Sequence, residues 1–201
     1  MAKVQNFVLL PNQLKINVMK NILFIVGSLR KQSFNRQLAA LAEKMLEGQF
    51  NIQYLDFEDV PLMNQDLEAN TPAPVARVRK EVLAADGIWI FTPEYNFSYP
   101  GLLKNLLDWL SRPMDISDFT NPTAAVGKKV TASGAGGANQ TASCRAKLND
   151  LLEFMKMQVM KEPQTGIALG VEAWTKGEFS LTEDQMAQLK EQAERFAEFV
   201  G

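Results

Sequence analysis

The chain has 201 residues, 46% of them hydrophobic and 22% charged, with a formal net charge of −2. That is the profile of one globular domain able to bury about 70% of its unfolded surface, and it excludes a disordered or fibrous chain and any electrostatic basis for binding nucleic acid or an anionic membrane. One cysteine and no histidine exclude an intrachain disulfide, point to the cytoplasm, leave a metal only carboxylates and a single thiol, and remove the usual general base and the Ser-His and Cys-His pairs, so catalysis is expected from a bound cofactor.

Residues 1–18 read as an extension outside the core. Their apolar run Phe7-Val8-Leu9-Leu10 stops at Pro11 without the small-residue cleavage pattern of a signal peptide, and Met19-Lys20-Asn21 reads as the start of a single domain over 19–201. Ile22-Leu23-Phe24-Ile25-Val26 is then a compact buried strand closed by Gly27-Ser28, and from Phe34 the apolar positions Leu38, Leu41, Met45 and Leu46 take a helical period. Residues 51–57 predict a second strand, and Thr71-Pro72 predicts a helix start with proline at the first position. Val75, Val78 and Val82 line that helix.

Gly87-Ile-Trp-Ile-Phe-Thr92 predicts a third strand, and Leu102, Leu103, Leu106, Leu107 and Leu110 give the helix after it a face that packs on a sheet. Residues 128–133 predict a fourth strand, with a glycine-rich loop over 133–139 whose backbone either approaches a ligand closely or merely forms a flexible turn. A helix follows, striped by Cys144, Leu148, Leu151, Leu152 and Met155, with Cys144 expected as a small core residue. Gln158-Val159-Met160 with Ile167-Ala168-Leu169 supply a last strand. Thr182 and Gln185 have capping-box spacing for a final helix that buries Met186, Leu189, Ala193, Phe196 and Val200.

Strands alternating with helices require a parallel sheet with helices on both faces, a three-layer α/β/α sandwich. With five strands the expected order is 2-1-3-4-5, which places a ligand where the loops after strands 1 and 3 diverge. The first of these loops holds Ser28, Arg30, Ser33 and Asn35 at a helix N-terminus, the makings of an anion site, and is neither a Walker sequence nor G-x-G-x-x-G. The other holds Glu94, Tyr95, Asn96, Phe97 and Tyr99 between Pro93 and Pro100.

The motifs G-S-L-R-K-x-S-x-N after strand 1 and P-E-Y-N-x-S-x-P-G-x-L-K-N-x-x-D-W-L-S-R after strand 3 make the chain resemble the NADPH-dependent FMN reductases, flavodoxin-like proteins that include quinone, chromate and azo-dye reductases. The resemblance covers residues 19–200. It implies that Ser28, Arg30, Ser33 and Asn35, with the Phe34 backbone, hold the FMN phosphate. It also implies that Pro93, Glu94, Tyr95 and Asn96 border the flavin ring, with Ser133, Gly134, Gly136 and Gly137 at its far edge. It further implies a homodimer or homotetramer with the flavin near an interface, giving Phe97, Tyr99 and Trp109 a place between subunits.

The function so implied is an FMN oxidoreductase that takes hydride from NADPH or NADH and reduces a quinone, flavin, chromate or azo dye. One open flavin face would serve donor and acceptor in turn, a ping-pong scheme with no side-chain acid or base, in which Glu94 positions rather than reacts. The alternative is a flavodoxin-type electron carrier without a substrate of its own. The third loop carries no aromatic residue to cover a ring, and the mild net charge suits electrostatic docking poorly; both favour the enzyme.

Overall fold

The computed structural model describes residues 19–201, so the 1–18 extension lies outside the described residues. Its elements begin and end where the side chains dictate. Strand β1 (Asn21–Val26) is an unbroken apolar run, and helix α1 (Phe34–Leu46) starts where the Ser33 hydroxyl accepts the Arg36 N–H. Strand β2 (Asn51–Tyr54) is shorter than expected: Leu55 still donates its N–H to Phe24, but a turn from Phe57 to Val60 then folds the apolar residues into the core. Helix α2 (Ala73–Ala84) starts later than expected, because the Thr71 hydroxyl donates back to the Glu68 carbonyl and Pro74 takes the first-turn place where no N–H is needed.

Next come β3 (Gly87–Phe91), α3 (Gly101–Leu110), β4 (Lys129–Gly136) and α4 (Ala142–Phe154). The chain ends with β5 (Gln158–Val159), β6 (Gly166–Ala168), the unforeseen short helix α5 (Val171–Lys176), and α6 (Glu183–Val200), whose capping box between Thr182 and Gln185 is formed as the spacing predicts.

Every pairing is parallel and the order is β2-β1-β3-β4-β5. The fifth position is shared: β5 pairs with Lys129 and Val130, and β6 pairs with Gly134, Ala135 and Gly136 further along β4. Strand alternation divides the core in two. Leu23, Ile25, Ile88, Ile90, Val130 and Ala132 face α2, α3 and α4, whereas Ile22, Phe24, Trp89, Phe91 and Ala135 face α1 and α6. Trp109 corrects its expected interface role: it is 0% exposed, and its indole N–H donates to the Pro61 carbonyl at 2.8 Å. Met186 also leaves the expected buried face of α6.

Candidate functional site

Loops leave the carboxyl ends of β1 (27–33), β3 (92–100) and β4 (137–141) on one edge of the sheet. Helix α1 packs on one face and α3 on the other, so the chain parts between β1 and β3 and a crevice opens there.

In the first loop the structure presents only part of the expected anion set. Ser28 and Arg30 reach solvent, and the Arg30 guanidinium lies 4.6 Å from the centroid of the Phe34 ring. Ser33 is buried as the cap of α1, and the Phe34 ring packs between Trp174 and Phe179. Asn35 is buried and spent elsewhere. Its Nδ2 donates to the Ala135 carbonyl at 3.1 Å while its Oδ1 accepts the Ala135 N–H at 2.8 Å, locking the start of α1 to the end of β4.

The second loop is a tight hairpin. Tyr95 and Ser98 exchange backbone hydrogen bonds, and between them Asn96 and Phe97 both have positive φ, +52° and +59°, the two-residue turn of type I′. Asparagine tolerates that conformation; phenylalanine in it is strained by about 1 kcal/mol. The turn holds Phe97 out at 66% exposure, beside Tyr95 at 56%. Glu94 points the other way, toward α4: its carboxylate accepts the Cys144 N–H at 2.8 Å and the Asn139 side-chain amide at 3.0 Å.

The third loop is shorter than the sequence suggests, because β4 continues through Gly134, Ala135 and Gly136. A Cβ on Gly134 would lie 2.3 Å from the Thr141 hydroxyl oxygen and 2.4 Å from the Thr92 carbonyl oxygen, so this glycine permits close packing and is no flexible turn. Ser133 is 0% exposed: its hydroxyl accepts the Trp89 indole N–H and donates to Gln192 of α6. Of the four residues expected at this edge, Ser133 and Gly134 belong to the core, Gly136 ends the strand, and Gly137 is exposed. The N–H groups of Gly137, Ala138 and Asn139 make no hydrogen bond within the described residues and form a row of free donors.

Sequence reasoning missed what organises this corner. Thr141 begins α4 with φ +58° and no side-chain cap, so Glu94 caps the helix from another loop, and Asn139 clasps Glu94 and Ser143 together. Arg145 donates to the Gln164 carbonyl at 3.1 Å, bracing the turn before β6, and burial lowers its guanidinium pKa. No local motif announces either contact. Burial pushes the Cys144 thiol up to about 11, opposed in part by its hydrogen bond with the Thr92 hydroxyl oxygen, so this thiol is inert. No group of three or more His, Cys, Asp or Glu side chains among the described residues is placed to hold a metal, and none of their helices is long and apolar enough to cross a membrane.

A parallel sheet in this order, with a basic loop, a hairpin and a row of free N–H groups along its carboxyl edge, defines a flavodoxin-like mononucleotide-binding protein. The family model for NADPH-dependent FMN reductase matches residues 20–172. The chain is similar to a 2-hydroxy-1,4-benzoquinone reductase of a Burkholderia species, 36% identical over 144 residues that span 71% of this chain and 75% of that one. It is likewise similar to a quinone reductase of Pseudomonas putida, 36% identical over 166 residues, 82% of each chain. Among solved structures it resembles FerB, a flavoenzyme NAD(P)H:(acceptor) oxidoreductase from Paracoccus denitrificans, with a TM-score of 0.78 and 31% identity over 90% of this chain and 97% of that one. The chain belongs to the NADPH-dependent FMN reductase family and is an oxidoreductase with FMN as its cofactor and NAD(P)H as its electron donor.

The residues present fit FMN. Arg30, exposed, and the Ser28 hydroxyl before a 13-residue helix would suit its phosphate dianion, and the free N–H groups of Gly137, Ala138 and Asn139 would suit hydrogen-bond acceptors on its ring.

Proposed function

We propose that this protein reduces quinones with electrons from NAD(P)H, on an FMN whose phosphate is held by Ser28 and Arg30, with the N–H groups at the start of α1. The ring would lie between Pro93, Tyr95 and Asn96 on one side and Gly136 and Gly137 on the other. The observation that carries this reading is the lacing of the start of α1 to the end of β4 by Asn35 and Ala135, and of the second loop to the third loop and α4 by Glu94 with Asn139 and Cys144. The lacing fixes the ring's two borders relative to one another before any ligand arrives, so little ordering cost is left for binding.

Hydride chemistry is supplied by FMN when bound. The chain's own part is to orient and to leave one side open. With Glu94 committed to α4 and Cys144 buried, neither offers an acid or base to the reaction. Donor and acceptor therefore take the open side in turn, and turnover is ping-pong. The exposed rings of Tyr95 and Phe97 suit an interface, and we infer a homodimer or homotetramer that covers them, in the cytoplasm. The domain is the segment 19–201, with 1–18 outside it.

The purified protein should be yellow, release FMN, and oxidise NAD(P)H with benzoquinone along parallel double-reciprocal plots. Release of FAD, or absence of flavin, would overturn the cofactor reading; FMN without direct NAD(P)H oxidation would make the protein a carrier.

A further inference from the structure

Arg30 makes no ion pair among the described residues. Its guanidinium lies instead against the Phe34 ring, 4.6 Å from the centroid. An exposed arginine samples many rotamers, and fixing it for a ligand costs entropy; an aromatic ring beneath the cation holds it while leaving its charge and its N–H donors for an anion. Phe34 can give that support only if its own ring is fixed. It is the first residue of α1, which sets its backbone, but the neighbours that set its ring come from the far end of the chain.

Two aromatic rings do so. Trp174 meets Phe34 edge to face, with centroids 6.3 Å apart and planes at 77°, and Phe179 stacks on it with centroids 5.9 Å apart and planes at 24°. Both are arrangements that aromatic pairs prefer. Trp174 belongs to α5 and Phe179 to the segment after it; between them Gly177, at φ +75°, comes close enough to the first loop that a Cβ would lie 3.6 Å from the Gln32 side-chain oxygen. Phe34 is 5% exposed under this cover, whereas Trp174 is 61% exposed. Trp89 and Trp109, at 0%, are core residues; Trp174 is not, and the one ring it meets among the described residues is Phe34. The family match ends at residue 172, so both covering rings come from a segment outside it.

We propose that Trp174 and Phe179 are positioning residues for the flavin phosphate, which act through the Phe34 ring to hold the Arg30 guanidinium in place. The inference rests on the reading above that Ser28 and Arg30 take that phosphate. Coupling of this kind is reciprocal: whatever factor the docking of α5 adds to phosphate affinity, a bound phosphate adds to the docking of α5.

Two arms test it. In the first, dissociation constants of the full chain are measured for FMN and for riboflavin, which has the same ring system and no phosphate. Trp174→Ala should weaken FMN about three- to tenfold, the scale of one cation held on an aromatic face, and leave riboflavin unchanged, while Trp174→Phe restores most of the FMN affinity. In an Arg30→Ala background, Trp174→Ala should change neither constant. In the second arm, hydrogen exchange is followed at the Gly177 amide, which donates to the Ala173 carbonyl at 3.2 Å; saturating FMN should slow it by a similar factor, and riboflavin should not. Equal losses for the two flavins in Trp174→Ala, the same loss with Arg30 already removed, or exchange at Gly177 that answers both flavins alike would each overturn the proposal. Arg30→Ala alone tells the two readings apart. If it leaves FMN binding unchanged, the phosphate reading fails and the positioning role with it; if it weakens FMN while Trp174→Ala does not, the positioning role alone fails.

Discussion

Helices α1 and α4 begin on the same edge of the same sheet, and their first turns are handled in opposite ways. Ser33 caps α1 from within and leaves the loop before it basic, with Arg30 and Lys31 exposed. The turn before α4 has two residues, Gln140 and Thr141, at positive φ and no cap of its own, and the Glu94 carboxylate fills the place. A helix start attracts an anion, so a protein that must put one phosphate in one place gains by satisfying the competing site internally. The contrast also explains why Glu94, the carboxylate nearest the ring in sequence terms, belongs to the scaffold.

The contact that makes the second arrangement possible is the close approach of β4 to Thr141 and Thr92. Gly134→Ala puts a methyl 2.4 Å from a backbone oxygen that cannot swing away, and is expected to cost about 3 kcal/mol or more in urea unfolding, the upper end for overpacking. The same change at Gly137, where a Cβ meets nothing within 4 Å, is expected to leave stability unchanged. Equal effects would mean the strand end is looser than described.

At the open site the loss should appear in binding. Arg30→Ala removes a charge-assisted contact and is expected to weaken FMN by about 2–3 kcal/mol, roughly 30- to 150-fold, with little change in the unfolding midpoint of the flavin-free protein. An unchanged FMN dissociation constant would move the phosphate away from this loop. At the closed site the order reverses. Glu94→Ala should cost the flavin-free protein about 2 kcal/mol, since two of its hydrogen bonds carry a charge, against about 1 kcal/mol for the neutral cap lost in Ser33→Ala. If Ser33→Ala is the more damaging, Glu94 does not cap α4 as its 2.8 Å contact indicates.

The same contrast marks what the sequence could tell. β1, α1, β3 and α3 were legible because each carries its own period and punctuation: five apolar residues before Gly27, a leucine stripe after Pro100. The family motifs lay in the loops between them, so the family was legible too. The α4 side was not, because its contacts join residues far apart in the chain. Ser133 and Asn35 are polar residues next to glycines or a helix start, and looked like ligand groups; their true partners are Gln192, 59 positions away, and Ala135, 100 positions away. Gly134 and Gly136 could be read as close approach to a ligand or as a flexible turn, because a glycine needed for close approach and one needed for positive φ are the same letter. The two segments expected to supply the last strand do so, at Gln158–Val159 and Gly166–Ala168, whereas the six-residue α5 was too short for any period to declare it.

The smallest expected effect concerns the thiol at the third position of α4. A cysteine in the first turn of a helix ordinarily has a lowered pKa, because the free N–H groups stabilise the thiolate. Here burial dominates and the charge of Glu94 adds to it, so the Cys144 thiol is pushed up to about 11 from an ordinary 9.0. The sign follows from linkage: a folded-state pKa above the unfolded value gives stability that is fully present below pH 9 and is lost as pH rises toward 11, where the unfolded chain holds the thiolate and the folded chain cannot. Between pH 9 and 10 the loss should be about 1 kcal/mol. Burial also raises the Tyr54 hydroxyl pKa, in concert with Glu43, so a steeper fall follows above pH 10. Unfolding free energies of the natural chain and of Cys144→Ala, measured by urea titration from pH 7 to 10.5, separate the two groups. The variant should be less stable at neutral pH through lost packing, and its curve between pH 9 and 10 should be the flatter. A natural chain whose stability rises over that interval would mean the helix start governs Cys144 after all, and that Glu94 leaves the first turn of α4 as open as that of α1.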